Sequence, residues 1–323
     1  MGMSRVFRSP TGDSSWRHSG SLIERAADNS PGIVAGYLAP HPPHLAYAEN
    51  PPQNEPRSEG GWEGLRWAYE SVRARIKALE PDVIVVHAPH WITMVGHHVN
   101  CVPNPRGKSV EPIFPNLLRY HYDFQTDVEL AHAIADQAAD DGLVTRKLTV
   151  EGVRVDYATI TALHLLNPNW DIPIVSLSAN NNPYYYSTSS LDQMEVLGEA
   201  TRKAIEATGR RAVLAGSNSL SHMHWDREPE IPEDMSKEHA YNHHQYQWDM
   251  KLLELIRTGR TGELRRFIPE HIRETESETK AGSLSWMLSA LGWPEDLGEV
   301  LAYGTVIGTG NAVAAWEPRG ISR

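Results

Sequence analysis

Two His-x-x-His pairs carry the clearest chemical signal in this chain. The first is His41-Pro42-Pro43-His44 and the second is His87-Ala88-Pro89-His90, and each directly follows an apolar run. An imidazole binds divalent metals through one ring nitrogen and exchanges a proton near neutral pH, so paired histidines suit metal ligation or acid/base work. Proline stiffens both turns, which helps to hold a ligand in place. A further histidine, His222, lies beyond the run Ala212-Val213-Leu214-Ala215-Gly216 and a polar stretch rich in serine. Spacing does not say which member of either pair binds. In a loop the two imidazoles need not converge, so one could bind metal while the other orients a neighbouring group, and any of the five could simply be hydrogen-bonded within its loop.

Two histidines leave a metal's coordination incomplete, and a carboxylate is the natural third ligand. Glu274, Glu276 and Glu278 precede Lys280 and Gly282 in a helix-like run, where Glu274 and Glu278 would share a face. A solvated acidic face is the plain alternative. Asp156 sits at the expected N-cap of a helix-like segment, with Tyr157 next to it, either in the core or offering its phenol to a cleft. Asn180 and Asn181 follow another apolar run, where their amides suit substrate hydrogen bonds or a turn. The glycines near the C-terminus form neither a GxGxxG nor a Walker loop, and no GxSxG elbow is present.

The elements that must position these groups alternate between strand and helix. Ile33 to Leu38 reads as a buried strand, and Tyr47 to Gly61 as an irregular loop passing close to His41. Trp62, Leu65, Tyr69, Val72, Ile76 and Leu79 recur at helical spacing up to Pro81, and Val83 to Val86 is a second strand. That strand, helix, strand unit predicts parallel pairing through a right-handed crossover. His97 to Val102 predicts a strand and Asp127 to Asp141 a helix, with a long loop from Pro103 to Tyr122 between them that reads as a lid. Pro173 to Ser178 and Ala212 to Gly216 are further strands, separated by a helix over Leu191 to Thr208. The C-terminal third is helical around Trp248, Leu252, Leu255 and Ile256, broken at Gly259 and Gly262, and helical again from Ile268 to Gly292. Val300 to Trp316 returns as strand. The pattern is α/β: a single domain with a central, mostly parallel sheet flanked by helices and an active site at the strand ends, where ligands collect.

With 323 residues the chain can bury a large core, and a formal charge of −11 argues against nucleic acid or an anionic membrane as partner. One cysteine, Cys101, excludes a disulfide framework and a cysteine-only metal site, so a cytoplasmic location is expected and any metal must sit on His, Asp and Glu. Sixteen histidines are many for this length. Residues 1–31 show no sustained apolar run and read as an N-terminal extension, neither signal peptide nor membrane span, ahead of a catalytic domain at 32–318.

The segments Gly36 to Pro52, Pro81 to Trp91, Arg154 to Thr161, Ser217 to His222 and Tyr303 to Asn311 resemble the class III (LigB-type) extradiol ring-cleaving dioxygenases. The resemblance runs from about Gly32 to Glu317. It implies Fe(II) held by His41, His90 and, through Ser277-Glu278-Thr279-Lys280-Ala281-Gly282, Glu278, with His222 as the acid/base. Many members carry Asp-His-Gly where this chain has Asp156-Tyr157-Ala158, which is similar to the aminophenol-cleaving branch and implies a catalytic role for Tyr157. His44, Asn180 and Asn181 are then expected to touch substrate. The activity implied is insertion of both atoms of O2 to open the ring of a 2-aminophenol, a catechol or a dihydroxy-heteroaromatic, giving a muconate-semialdehyde-type product. Homo-oligomers or a noncatalytic sister subunit are the implied assemblies. A zinc hydrolase on the same residues, and a noncatalytic subunit of the same fold, are the alternatives.

Overall fold

The computed structural model describes residues 30–49, 62–112, 119–179, 181–182, 187–188, 190–225, 238–295 and 298–317. In chain order its elements are β1 (Gly32–Leu38), α1 (Pro43–Glu49), α2 (Trp62–Leu79), β2 (Val83–His87), β3 (His97–Asn100), β4 (Arg106–Val110), β5 (Arg119–Asp123), α3 (Val128–Asp140), β6 (Thr145–Leu148), α4 (Tyr157–Leu166) and β7 (Ile174–Leu177). There follow β8 (Asn181–Asn182), β9 (Ser187–Thr188), α5 (Leu191–Thr208), β10 (Arg211–Gly216), α6 (His243–Arg257), α7 (Thr261–Thr275), α8 (Gly282–Ala290), β11 (Glu299–Val306) and β12 (Thr309–Trp316).

One eight-stranded sheet, in the order β11-β12-β1-β10-β2-β7-β3-β6, forms the middle layer. Its central strands β1, β10, β2 and β7 are parallel, and the β11/β12 hairpin and the β3/β7 contact are antiparallel. Strand β2 is buried along its whole length, as expected of a strand covered on both faces. Helices α3, α5, α6, α7 and α8 bury their apolar stripes on one face, around Leu130, Leu197, Leu252 and Trp286. Helices α2 and α4 cover the other face, around Leu65, Tyr69, Ile160 and Leu163. Asp127, Asp156, Ser190 and Asn242 each accept a hydrogen bond from the backbone N–H three residues on and so start α3, α4, α5 and α6.

Several expectations change. Strands β1 and β2 are parallel, but β10 lies between them, so the crossover skips a strand. Part of the loop read between Pro103 and Tyr122 is the antiparallel pair β4/β5, in which Tyr122 and Ser109 are buried. Its polar sequence hid the pairing, because only one side of this small sheet meets the core. Tyr47 to Glu49, the start of the stretch read as an irregular loop, belong to helix α1, and residues 50–61 of that stretch lie outside the described residues. Gly262 lies within the first turn of α7 and does not break it. No helix among the described residues is long and apolar enough to cross a membrane.

Candidate metal centre and substrate cavity

The carboxyl ends of the adjacent parallel strands β1, β10 and β2 open on one side of the sheet. His41 comes three residues after β1 ends, His90 three after β2, and the loop from Ser217 to His222 leaves β10. Sheet geometry therefore gathers groups that are far apart in sequence. Glu278 arrives from the opposite direction, in a tight turn between α7 and α8.

That turn corrects the expected helix. The backbone turns left-handed at Glu276, with φ 50°, and at Thr279, Lys280 and Ala281, so Glu274 and Glu278 share no helical face. Non-glycine residues rarely hold this conformation unless the surroundings enforce it. Asn218 supplies much of the enforcement: its Nδ2 donates to the Glu278 carbonyl at 2.8 Å, and its Oδ1 accepts from the Ser283 N–H at 3.0 Å at the start of α8. Gly216 lets α8 come close, since a Cβ there would lie 2.9 Å from the Ser283 carbonyl oxygen.

Within the turn, Glu278 is buried and its two oxygens have separate tasks. Oε2 accepts from the Ser219 N–H at 2.7 Å and from the Ser219 hydroxyl at 2.9 Å. Oε1 lies 3.2 Å from His41 Nε2, 3.1 Å from His90 Nε2 and 3.4 Å from His222 Nε2. His41 Nδ1 meets the Ser217 hydroxyl at 2.7 Å, so its Nε2 is the nitrogen turned to the site. Donor atoms of His41, His90 and Glu278 all fall within 4.8 Å of one another. Two imidazole nitrogens and one carboxylate oxygen are a donor set that holds a divalent transition metal on one face. The group fits.

Charge follows from the same contacts. Burial holds the His41 imidazole below its usual pKa despite the nearby Glu278 carboxylate, which favours the neutral, metal-binding form. Burial also disfavours charge on His222, but the Glu278 carboxylate outweighs it and raises that pKa. For Glu278, burial opposes ionisation, yet His41 and His222 hold its carboxyl well below the usual range. Burial, followed by the carboxylates of Glu278, Glu111 and Asp156, pushes the Tyr157 phenol up, so it stays protonated. Tyr157 is the first residue of α4, and its hydroxyl stands 2.9 Å from His90 Nε2.

His222 is positioned from behind. Its N–H donates to the Thr275 carbonyl at 3.2 Å. The neighbouring Ser221 donates through its N–H and its hydroxyl to buried Asp249, at 3.1 and 2.7 Å. Asp249 also accepts from His271 Nε2 and the Tyr303 hydroxyl, each at 2.9 Å.

Above the histidines lies a cavity of about 170 Å³, whose walls include Pro42, Pro43, His44, Val306 and Ile307 as well as His41, His90, Tyr157, His222 and Glu278. His44 is thus in the wall, kept neutral by burial with its pKa lowered to about 4. His87 is not: it is buried behind the site, with Nδ1 2.8 Å from the Ser283 hydroxyl. Asn180 lies outside the described residues, as does the side chain of Asn181. Sequence reasoning missed Glu111, His224, Thr309 and Asn311, which also line the cavity. Thr309 and Asn311 fall within the resembling segment Tyr303 to Asn311, which was the available signal, while Glu111 was hidden in the stretch read as a lid.

An α/β sheet bearing a His, His, Glu group over a small, partly apolar cavity defines a metal-dependent enzyme of small molecules. Residues 35–314 match the family described as the catalytic LigB subunit of aromatic ring-opening dioxygenase, and the chain belongs to that family. It is 54% identical over 285 residues to the 2-aminophenol 1,6-dioxygenase beta subunit of a Pseudomonas species, covering 88% of this chain and 93% of the relative. It is 24% identical to the 3,4-dihydroxyphenylacetate 2,3-dioxygenase of Escherichia coli, covering 80% and 90% of the two chains. To the 2-aminophenol 1,6-dioxygenase alpha subunit of a Pseudomonas species it is 23% identical, covering 78% and 90%. Among solved structures, an uncharacterized protein of Escherichia coli K12 shares the fold, with a TM-score of 0.56, 15% identity and coverage of 87% and 99%. The chain is an extradiol-type, ring-opening dioxygenase.

Proposed function

We propose that this dioxygenase opens the ring of 2-aminophenol, using iron(II) held by His41 Nε2, His90 Nε2 and Glu278 Oε1. The observation that carries the proposal is the single Glu278 oxygen within 3.1 to 3.4 Å of three imidazole nitrogens beneath the cavity. The substrate reading draws on the relative named for 2-aminophenol and on Tyr157 at the position next to Asp156. Volume supports it too: an apolar cavity of roughly 150 Å³ admits benzene, so about 170 Å³ suits one lightly substituted ring.

When bound by His41, His90 and Glu278, iron(II) would supply the redox-active, Lewis-acidic centre that the reaction between the substrate ring and dioxygen requires. The residues do the rest. Ser219 occupies Glu278 Oε2 and leaves only Oε1 as a ligand. His222, whose Nε2 lies 3.4 Å from Glu278 Oε1 in the cavity wall, takes the phenol proton as substrate arrives and returns a proton later. Tyr157, kept protonated, turns its hydroxyl to a substrate oxygen once His90 Nε2 is engaged. His44 and the prolines exclude water above the ring, and Asn180 and Asn181 are expected to hydrogen-bond substrate. The catalytic domain spans 32–318 after the extension 1–31. We further infer assembly with a noncatalytic sister subunit, since relatives named beta and alpha subunits both match. The single, buried Cys101 suits a reducing cytoplasm.

The test is anaerobic reconstitution with iron(II), then oxygen uptake and absorbance scans with 2-aminophenol, catechol and a dihydroxypyridine. Stoichiometric uptake with a semialdehyde-like chromophore, strongest for 2-aminophenol, is expected. Uptake that follows another compound would move the substrate, and none in iron-loaded protein joined by its sister subunit would overturn the proposal.

A further inference from the structure

One polar atom in the cavity wall lacks a hydrogen-bonding partner. Asn311, at the third position of β12, is fully buried, and its Nδ2 donates to the Thr309 carbonyl at 2.9 Å. Only an amide NH2 can make that bond, so the orientation of the side chain is fixed by chemistry and Oδ1 is an acceptor. Oδ1 is buried and without a partner among the described residues. A buried acceptor left unpaired is costly and uncommon, so it calls for a donor that the protein itself does not provide.

Glu111, just beyond β4, lines the same cavity and is 2% exposed. Carboxyl oxygens accept hydrogen bonds. The hydroxyls nearby are committed elsewhere, Ser219 to Glu278 and Thr309 to His224 Nδ1 at 3.1 Å. The cavity thus presents acceptor oxygens alongside its imidazoles.

We propose that Asn311 Oδ1 and Glu111 form an acceptor wall that selects substrates carrying an N–H group beside the phenol, and so make this site prefer an ortho-aminophenol to a catechol. The proposal rests on the ring-opening reading above and deepens it. An aniline nitrogen keeps N–H donors while the neighbouring phenol ionises. A catechol has one O–H left after the first ionisation and none after the second. Selection then comes from penalising the wrong ligand as much as from holding the right one.

The experiment is anaerobic calorimetric titration of the iron-loaded parent, Glu111→Gln and Asn311→Leu with 2-aminophenol and with catechol, alongside kcat/KM for both compounds in air. The parent should bind 2-aminophenol the more tightly, and each variant should lower that preference by about tenfold or more. Glu111→Gln keeps the shape of the side chain, so it remains informative if Asn311→Leu does not fold. A parent that binds catechol as tightly as 2-aminophenol overturns the selection, and so does a preference unchanged in folded variants. A parent that, joined by its sister subunit, takes up oxygen with neither compound overturns the ring-opening reading itself, and the selection with it.

Discussion

Glu278 is the residue on which the proposed site turns, because one of its oxygens faces three imidazoles while Ser219 holds the other. Removing a ligand removes the metal. His41→Ala, His90→Ala and Glu278→Ala should each lose iron, read by metal content after gel filtration, and all activity. His222→Ala should keep iron and lower kcat by roughly 10²- to 10⁴-fold, the usual worth of a positioned acid/base. Full turnover in iron-loaded Glu278→Ala would refute the ligand assignment. Ser219→Ala leaves the ligands and the backbone N–H bond to Oε2 in place but removes the hydroxyl bond, and should weaken iron affinity by about 10- to 100-fold in a competition with a chelator.

At the scale of elements, the site depends on how closely α8 and the β10 loop fit together. Gly216→Ala would put a methyl 2.9 Å from the Ser283 carbonyl and push α8 off the strand, carrying the Glu278 turn with it. A loss of about 1 to 3 kcal/mol is expected from overpacking, in urea unfolding, together with weaker iron binding. Asp249 acts from further back, joining the Ser221 loop to α7 and β11 through His271 and Tyr303. Asp249→Asn should cost about 1 to 3 kcal/mol, because an amide cannot accept from all of these donors. Melting by circular dichroism would show the loss, and an unchanged melting curve would contradict the role given to Asp249.

For the whole molecule, the buried histidines away from the ligand set decide its acid stability. Burial lowers the pKa of His87 to about 3, helped by His97, and that of His97 to about 4. Unfolded, each would titrate near 6.5, so below that pH the unfolded chain binds more protons than the folded one. Stability is therefore full above about pH 6.5 and falls as the pH drops towards the folded values, by on the order of 1–2 kcal/mol per histidine at pH 5. Urea midpoints at pH 7 and pH 5 test this, and a His87→Gln variant should show a smaller difference than the parent.

What the sequence by itself determined was local. Apolar runs marked β1, β2, β7 and β10, helical spacing marked α2, and resemblance proposed His41, His90, Glu278, His222 and Tyr157 from among sixteen histidines, twelve tyrosines and many carboxylates. Burial patterns repeat every two or three to four residues, so they can be read along the chain. Only the tertiary structure decided that β10 lies between β1 and β2, that His87 is packed behind the site while His90 faces it, and that Glu278 leaves a left-handed turn and not a helix. It also brought Asn311 and Glu111 into the cavity. Those facts depend on contacts between segments tens to hundreds of residues apart, such as Asn218 with Glu278 or α8 with Gly216. No spacing within one segment encodes them, because each is fixed by what the rest of the fold places opposite.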